Sequence, residues 1–296
     1  MKKPVGLLLT ISIIAISFAA IFVKWSEAPA TVISMYRMFL ACVLLLPVIV
    51  VKRREFMKLT KKDWLFLFIS GVFLALHFAL WFESLKLTTV ASSTIILTLQ
   101  PIIALIGGFL VFKERTNIFA LLTIGVSMVG VVMVGWGDFG LNSKSMIIGD
   151  ILSFLSVIAV VGYLLIGQNN VKKISHWIYS FSVFFFAGIT LTVYNLFAGT
   201  PIVGYDTREW GIFLLLAIFP TMAHVIYNYL LNYINTTTVS MSILGEPIGA
   251  TILAVILLGE RVMALQIIGG AVVLSGVFLF LMQQRKVTTE ELSKLE

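Results

Sequence analysis

Charged residues are scarce in this chain of 296 residues. Asp, Glu, Lys and Arg make up 12% of it, whereas apolar residues make up 59% and the mean hydropathy is +1.05. Soluble domains contain about a quarter charged residues and about half apolar residues. The composition therefore excludes a soluble globular domain and predicts an integral membrane protein.

Cysteine and catalytic motifs are also scarce. Cys42 is the only cysteine, which excludes an internal disulfide and a cysteine-type metal site. The sequence contains no His-Glu-x-x-His pair, phosphate-binding loop or nucleophile motif. A Gly-x-Gly-Asp at 135–138 and Tyr205-Asp206 spell the two motifs of intramembrane aspartyl proteases, but in reversed order and in predicted loops. We expect no enzyme activity, no cofactor and no metal.

Long apolar runs dominate what remains. Each run is long enough to cross a bilayer as a helix of about 20 residues. Short connections leave no room for a soluble domain, and a polar tail over 283–296 is predicted to be cytoplasmic. The ten predicted spans are 5–23, 32–51, 64–84, 88–111, 118–136, 146–166, 176–197, 210–231, 238–258 and 263–282.

The chain is an internal duplication. Residues 90–115 and 236–261 superpose without a gap at a shift of 146, which places Pro101 on Pro247 and Gln100 on Glu246. At a shift of 143, Gly6 matches Gly149. Because this match includes the first run in the duplication, we interpret that run as a retained helix and not as a signal peptide.

The two predicted repeats cover 1–137 and 146–282. Each contains five spans, and because five is odd the second repeat must enter the membrane in the opposite orientation. The predicted fold is therefore an all-α membrane protein of ten transmembrane helices in two inverted five-helix repeats. Inverted repeats with a site at their interface are typical of secondary transporters.

Basic residues predict the orientation, because they concentrate in cytoplasmic loops. Six of the 21 basic residues lie on the predicted outer side. We therefore expect a protein of the plasma membrane with both termini in the cytoplasm. The net charge of +7 therefore does not indicate a nucleic-acid partner. The fifteen residues on the inner side are Lys2, Lys3, Lys52, Arg53, Arg54, Lys58, Lys61, Lys62, Lys113, Arg115, Lys172, Lys173, Arg285, Lys286 and Lys294.

Several motifs resemble those of the drug/metabolite transporter superfamily, EamA type. They are Arg37, Pro101 with its Lys-Glu-Arg end at 113–115, Gly-Glu-Pro at 245–247, and Gly-Glu-Arg at 259–261. The resemblance covers nearly the whole chain. It implies an exporter-like carrier in the lipid bilayer, with a central cavity lined by helices 1, 3, 4, 6, 8 and 9. Implied substrates are small polar or amphipathic metabolites such as amino acids; the oligomeric state is not indicated.

Two other functions remain open. An importer could use the same fold, because direction depends on gradients. A channel or scaffold would lack alternating access, but a channel should line a continuous pore with polar residues. Here the polar residues form two inverted clusters, which favours a carrier. The spans also lack the clustered cationic residues that sugar-phosphate carriers of the superfamily use, which argues against anionic phosphates.

Glu246 is the principal candidate for substrate binding or coupling. Burial favours the protonated form of a carboxyl group, so Glu246 could carry a coupling proton; it could also bind a substrate amine. Alternatively, it bonds backbone groups freed by the helix-breaking Pro247. Gln100, beside the helix-breaking Pro101, has the position in the first repeat that Glu246 has in the second. We expect Gln100 to have a structural role.

Two polar and aromatic clusters are candidate gates. Trp81 and Glu83 lie toward the predicted outer end of the third span, and Tyr227 and Asn228 lie toward the inner end of the eighth. The alternative for these aromatic residues is the interfacial belt of membrane proteins.

Four further residues complete the candidate site. Arg37 is expected to snorkel toward the outer headgroups or to pair with Glu83 as an outer gate. His77 is a candidate proton relay, or a neutral histidine with satisfied hydrogen bonds. Phe18 and Tyr163 are candidates for the cavity wall, although aromatic residues in such helices also face lipid or pack between helices.

Overall fold

The fold was determined from a computed structural model that describes residues 5–112, 118–139, 144–170, 174–230 and 245–293. Regular structure within these ranges is entirely helical. The helices are α1 (Val5–Trp25), α2 (Ala30–Lys52), a 3₁₀ helix (Arg53–Lys58), α3 (Lys61–Leu87), α4 (Val90–Leu97), α5 (Gln100–Phe112), α6 (Ile118–Phe139), α7 (Lys144–Asn170), α8 (His176–Phe197), α9 (Thr207–Leu230), α10 (Gly245–Leu258) and α11 (Ala264–Ser293).

Ten helical stretches correspond to the ten predicted spans. Within the described ranges, seven helices are long and apolar enough to cross a membrane, and three shorter apolar stretches cover Gly125–Val134, Gly245–Leu258 and Ala264–Gly276. The predicted all-α membrane fold is confirmed. The Lys-Glu-Arg motif at 113–115 lies outside the described residues, as does Ile243, whose carbonyl is the backbone group that Pro247 would free four residues earlier.

The fourth predicted span consists of two helices. α4 ends at Leu97 and α5 begins at Gln100, with a turn at Thr98 and Leu99 between them. Pro101 is the second residue of α5, and its missing N–H is tolerated in the first turn of a helix. In the interior of a continuous helix the same proline would remove a backbone hydrogen bond, which explains the break. A helix break inside the bilayer is tolerated only where other parts of the protein bury the interrupted backbone. This condition is met, because all residues from Val90 to Gln100 are buried.

Helix packing repeats between the two halves of the chain. α3 of the first half packs along α7 of the second. Their counterparts in the repeat, α9 for α3 and α1 for α7, also pack along each other. The pairs α2 with α8 and α6 with α11 each join helices at equivalent positions. These contacts are those of a structure with an internal two-fold relationship, in which the largest interfaces lie between the halves.

The interface between α6 and α11 depends on glycine. A Cβ atom on Gly130 would lie 2.7 Å from the carbonyl oxygen of Gly269, and one on Gly269 would lie 2.8 Å from that of Gly130. Small residues at a helix interface allow the two backbones to approach closely in a membrane.

The bundle has two ends, the Glu209 face and the Lys52 face. The Glu209 face carries the turns at 26–29, 88–89, 198–206 and 259–263, which connect helices or precede them. The Lys52 face carries the 3₁₀ helix Arg53–Lys58 and the turn before α8. Thr60 begins α3 on the Lys52 face with a capping box, in which its hydroxyl accepts from the N–H of Asp63 at 3.2 Å.

Candidate functional site

A small cavity lies in the middle of the bundle between the two halves. Its volume is about 30 Å³, room for no more than about two water molecules. The wall comes from the first, third, fourth, sixth, eighth and ninth predicted spans, the set that the family resemblance implied. Its residues are Ile16, His77, Trp81, Leu97, Gln100, Val160, Tyr163, Leu164, His224, Tyr227 and Glu246.

Among the described residues, Glu246 supplies the one carboxyl group in this wall. It is 3% exposed and is the second residue of α10, immediately before Pro247. Twelve residues separate it from the end of α10 at Leu258, so it lies about 18 Å from the Glu209 face. Its Oε1 has no hydrogen-bond partner among the described residues. A buried polar atom of this kind is available to a ligand or a proton.

Arg37 lies behind the cavity wall and is fully buried, with 0% exposure. Its guanidinium carbon is 3.7 Å from the centre of the Phe78 ring, a cation–π contact. Its three nitrogens have no hydrogen-bond partner in the described part of the chain. Arg37 interacts electrostatically with Glu246 and Tyr163.

This position of Arg37 differs from the sequence-based expectation. Arg37 does not snorkel to a headgroup region, and no salt bridge joins it to Glu83 within the described ranges. Glu83 is exposed instead, in a lateral groove of about 550 Å³ whose other walls include Thr190 and Tyr194 of α8. Both residues are on predicted helices, but Arg37 is buried inside the bundle and Glu83 is exposed in this groove.

His77 and Trp81 form one face of the cavity. Their rings stack with centroids 5.8 Å apart and planes 17° apart. Nδ1 of His77 lies 3.0 Å from the backbone oxygen of Ser156, and because a carbonyl only accepts, this nitrogen donates. Trp81 is 2% exposed, and its Nε1 has no partner among the described residues. Trp81 therefore presents an aromatic surface and an available donor.

Tyr163 closes another side of the cavity, and Asn228 fixes its orientation. The Tyr163 hydroxyl donates to Oδ1 of Asn228 at 2.7 Å, and Nδ2 of Asn228 donates to Oγ of Ser180 at 2.9 Å. All three side chains are buried. Asn228 does not itself line the cavity, so the structure places it as a support for Tyr163 and not as a direct contact.

Trp81 and Tyr227 line the same cavity at different depths. Trp81 precedes the end of α3 by six residues, about 9 Å from the Glu209 face by helical rise. Tyr227 follows the start of α9 by 20 residues, about 30 Å from that face. Both side chains are buried, 2% and 4% exposed, and neither faces lipid. This arrangement is the one the gate hypothesis requires, although gating itself remains a prediction.

Phe18 does not line the cavity. Its ring packs against Phe22 and Phe219 at 5.9 and 5.7 Å between centroids. Ile16 of the same helix contributes to the wall instead. Gln100, at the start of α5, does line the cavity and is 4% exposed. It is the counterpart of Glu246 in the first repeat.

The Glu209 face is closed by a hydrogen-bond network that sequence reasoning missed. The buried carboxylate of Glu209, at the start of α9, accepts from the hydroxyl of Ser26 and, at 2.8 Å, from the backbone N–H of Glu27. Nη2 of Arg208 donates to the carbonyl of Trp25 at 2.8 Å. These bonds join the α1–α2 turn of the first half to the second half.

A second connection lies beside it. Nζ of Lys24 is 3.5 Å from the carboxylate of Glu260 and donates to the carbonyl of Thr88 at 2.8 Å. Glu260 also accepts from the N–H of Val90 at 3.0 Å, at the start of α4. The repeated Glu-Arg motif was the available signal for Glu260, but nothing in that motif indicates its partners.

The fold and this arrangement define a class: a multi-pass membrane protein with a small, mainly apolar cavity between two similar halves, to which a few polar side chains, Glu246 among them, also contribute. The chain belongs to the EamA-like transporter family, which matches residues 4–136 and again 147–282. This match confirms the resemblance found in the sequence.

Similar proteins agree with the family assignment. An uncharacterized transporter from Archaeoglobus fulgidus is 27% identical over 96% of this chain and 99% of its own. One from Synechocystis sp. is 25% identical over 79% of this chain and 70% of its own, and one from Clostridium kluyveri is 23% identical over 80% and 78%. A solved crystal structure superposes with a TM-score of 0.69 at 13% identity, covering 97% of this chain and 99% of that one. That likeness concerns the fold.

Proposed function

We propose that this transporter exports small polar or amphipathic metabolites, amino acids first among them, by alternating access as a secondary carrier. The observation that carries the proposal is the cavity between the halves. Pairs of equivalent helices line it, and it contains a carboxyl group about 18 Å from the Glu209 face along α10. Secondary transporters bind substrate near the bilayer midplane at the interface of their repeats.

The two halves, 1–137 and 146–282, are the proposed moving units. The bonds of Glu209 and Glu260 join them at the Glu209 face and close that end. The cavity of about 30 Å³ is too small for an amino acid. Transport therefore requires the halves to separate at one face, which enlarges the cavity and exposes Glu246.

The Glu209 face is proposed to be external, because the excess of basic residues belongs to the opposite face. A reporter fused after Glu296 should therefore report a cytoplasmic position, and one inserted near Asn142 an external position. A cytoplasmic signal from the 138–145 connection would overturn the inverted-repeat arrangement, which requires an odd number of spans between the two positions.

Glu246 is proposed to bind the substrate amine. Glu246 lines the cavity and has one oxygen without a partner among the described residues, and Trp81, Tyr163 and Tyr227 line the same space. Carboxylate and aromatic surfaces both stabilise an ammonium group. A second role, the transfer of a coupling proton, is favoured by the same unpartnered oxygen and is distinguished by its own assay.

Counterflow in liposomes tests the transport function. Liposomes loaded with unlabelled amino acids should take up labelled amino acid transiently and saturably through wild-type protein. Glu246→Ala should abolish this uptake, whereas Glu83→Gln should leave it unchanged because Glu83 is outside the cavity. Flux that does not saturate would indicate a channel, and absence of flux with correctly folded protein across the amino-acid panel would contradict the substrate proposal.

The proton role is separated by Glu246→Gln, which retains shape but cannot titrate. A coupling proton on Glu246 predicts normal exchange but no uptake driven by a pH gradient. A substrate counter-ion predicts weaker exchange of amine-bearing substrates. Export as the direction would be supported if cells that express the protein retain less of the transported amino acid than cells that express Glu246→Ala.

A further inference from the structure

The central region contains two opposite charges from different halves of the chain. Arg37 on α2 and Glu246 on α10 are both buried, and each is the other's electrostatic partner. No hydrogen bond joins them, because the guanidinium nitrogens of Arg37 and Oε1 of Glu246 are all unpartnered within the described residues. Neither charge is therefore satisfied by a hydrogen bond from the other.

Their placement differs with respect to the cavity. Glu246 lines it directly, whereas Arg37 lies on Phe78, whose ring contacts His77 and His224 of the wall at 4.7 and 5.4 Å. Arg37 therefore acts on the cavity through its charge and not through a direct contact. The interior has a low dielectric constant, so such a charge is felt over several ångströms.

The charge balance of the site follows from these positions. With both groups ionised, the empty site has no net charge. A zwitterion leaves it neutral, whereas a lone ammonium or a lone carboxylate leaves one uncompensated charge in the membrane interior. Uncompensated buried charges are strongly unfavourable.

We infer that Arg37 and Glu246 form a split charge pair that selects zwitterions over singly charged analogues of the same shape. This inference rests on the proposed transport function and names its substrate class by charge. The ammonium group of the substrate binds at Glu246, and its carboxylate is oriented toward the positive charge of Arg37. Arg37 is thus a specificity-determining residue that acts at a distance.

Matched ligands test the inference. One trio is phenylalanine, phenethylamine and 3-phenylpropionate; a second is leucine, isoamylamine and 4-methylpentanoate. Each trio keeps the apolar part and changes only the charged groups. Binding is measured at pH 7 by isothermal titration and thermal shift on the purified protein, together with inhibition of counterflow in liposomes.

Wild-type protein should bind the zwitterion of at least one trio about tenfold or more tightly than both analogues, a difference of about 1.4 kcal/mol. Arg37→Gln should shift the preference toward the amine, and Glu246→Gln toward the acid. The double variant has neither charge, so the advantage of the zwitterion should disappear. Glu83→Gln, which removes a carboxylate outside the cavity, should retain the wild-type order.

Three results would overturn the inference. They are an unchanged order of affinities in both single variants, a zwitterion advantage that persists in the double variant, and wild-type binding of none of the six compounds. If a single variant does not fold, the double variant, which leaves no uncompensated charge, decides. Saturable counterflow with any of these results would refute the charge selection alone, whereas absent counterflow would refute the transport proposal.

Discussion

Arg37 and Glu246 come from different halves of the molecule, are 0% and 3% exposed, and interact electrostatically without a hydrogen bond or salt bridge between them in the described part of the chain. Removal of one partner of a buried charge pair costs about 3–5 kcal/mol, because the other charge is left uncompensated. Removal of both partners avoids that cost. The pair therefore makes a clear prediction about stability as well as about substrate selection.

Arg37→Gln and Glu246→Gln should each lower the thermal stability of the purified protein more than the double variant does. The reason is that each single variant leaves one buried charge without compensation. Melting temperatures in detergent measure this, with Glu83→Gln as a control that should change little because Glu83 is exposed. Additive losses in the double variant would show that the two charges do not compensate each other.

Trp81 is predicted to control the cavity from the side of the Glu209 face. Trp81→Ala should increase leak or change substrate preference while expression is maintained, because it removes a buried ring that stacks on His77. Trp81→Phe should retain more of the barrier. Trp64→Ala is the matched control, since Trp64 is 38% exposed; wild-type transport kinetics in Trp81→Ala would assign Trp81 a packing role alone.

Local sequence signals found part of this site. Glu246 beside Pro247, and its match with Gln100 beside Pro101, were visible because a carboxyl group and a helix breaker inside an apolar run are rare. The burial of Arg37 was not predictable, since an almost uniformly apolar helix gives no periodic signal for its interior face. Its contact with Phe78 is tertiary and depends on how α2 and α3 pack.

The closure of the Glu209 face was missed for a related reason. Glu209 stands where a predicted span begins, and a single carboxylate there is expected in solvent. Its partners, Ser26 and Glu27, are more than 180 residues away in the chain. Asn228 is an intermediate case, because the sequence predicted it as part of a candidate gate, whereas its bond to Tyr163 is visible only in the structure.

Asn228 is predicted to act by orienting Tyr163. Asn228→Ala should raise the KM for substrate, because the buried Tyr163 hydroxyl loses its acceptor, a cost of about 1–3 kcal/mol. Ser180→Ala is the matched control, since it removes only the other bond of Asn228. The prediction requires a larger rise in KM for Asn228→Ala than for Ser180→Ala in counterflow assays; equal effects would contradict a role through Tyr163.

Close packing of α6 and α11 is predicted to depend on Gly130. Gly130→Ala should destabilise the protein, because its Cβ would meet the carbonyl of Gly269 at 2.7 Å and backbone cannot yield easily. Gly125→Ala on the same helix is the control, because its Cβ would meet nothing within 4 Å. Gly125→Ala should be neutral or slightly stabilising, because alanine favours a helix more than glycine does. Similar melting temperatures for the two variants would show that the helices pack less closely than described.

Alternating access itself can be measured with a single cysteine in the cavity. Cys42→Ala provides a background without cysteine, and Leu97→Cys places a thiol in the cavity wall. Leu122→Cys, 62% exposed on the bundle surface, is the control position within lipid. Glu209→Gln weakens the closure of the Glu209 face, whereas Asp206→Asn changes a carboxylate of the same face that accepts from the N–H of Glu209.

The decisive measurement is the rate at which a membrane-impermeant thiol reagent modifies Leu97→Cys from each side of the membrane, with and without Glu209→Gln. The two halves are proposed to open one face only when the other is closed. Glu209→Gln should therefore raise modification from the external side and lower it from the cytoplasmic side, while Asp206→Asn should have a smaller effect. Modification that rises from both sides together, as in a channel, or that does not respond to Glu209→Gln would contradict the account.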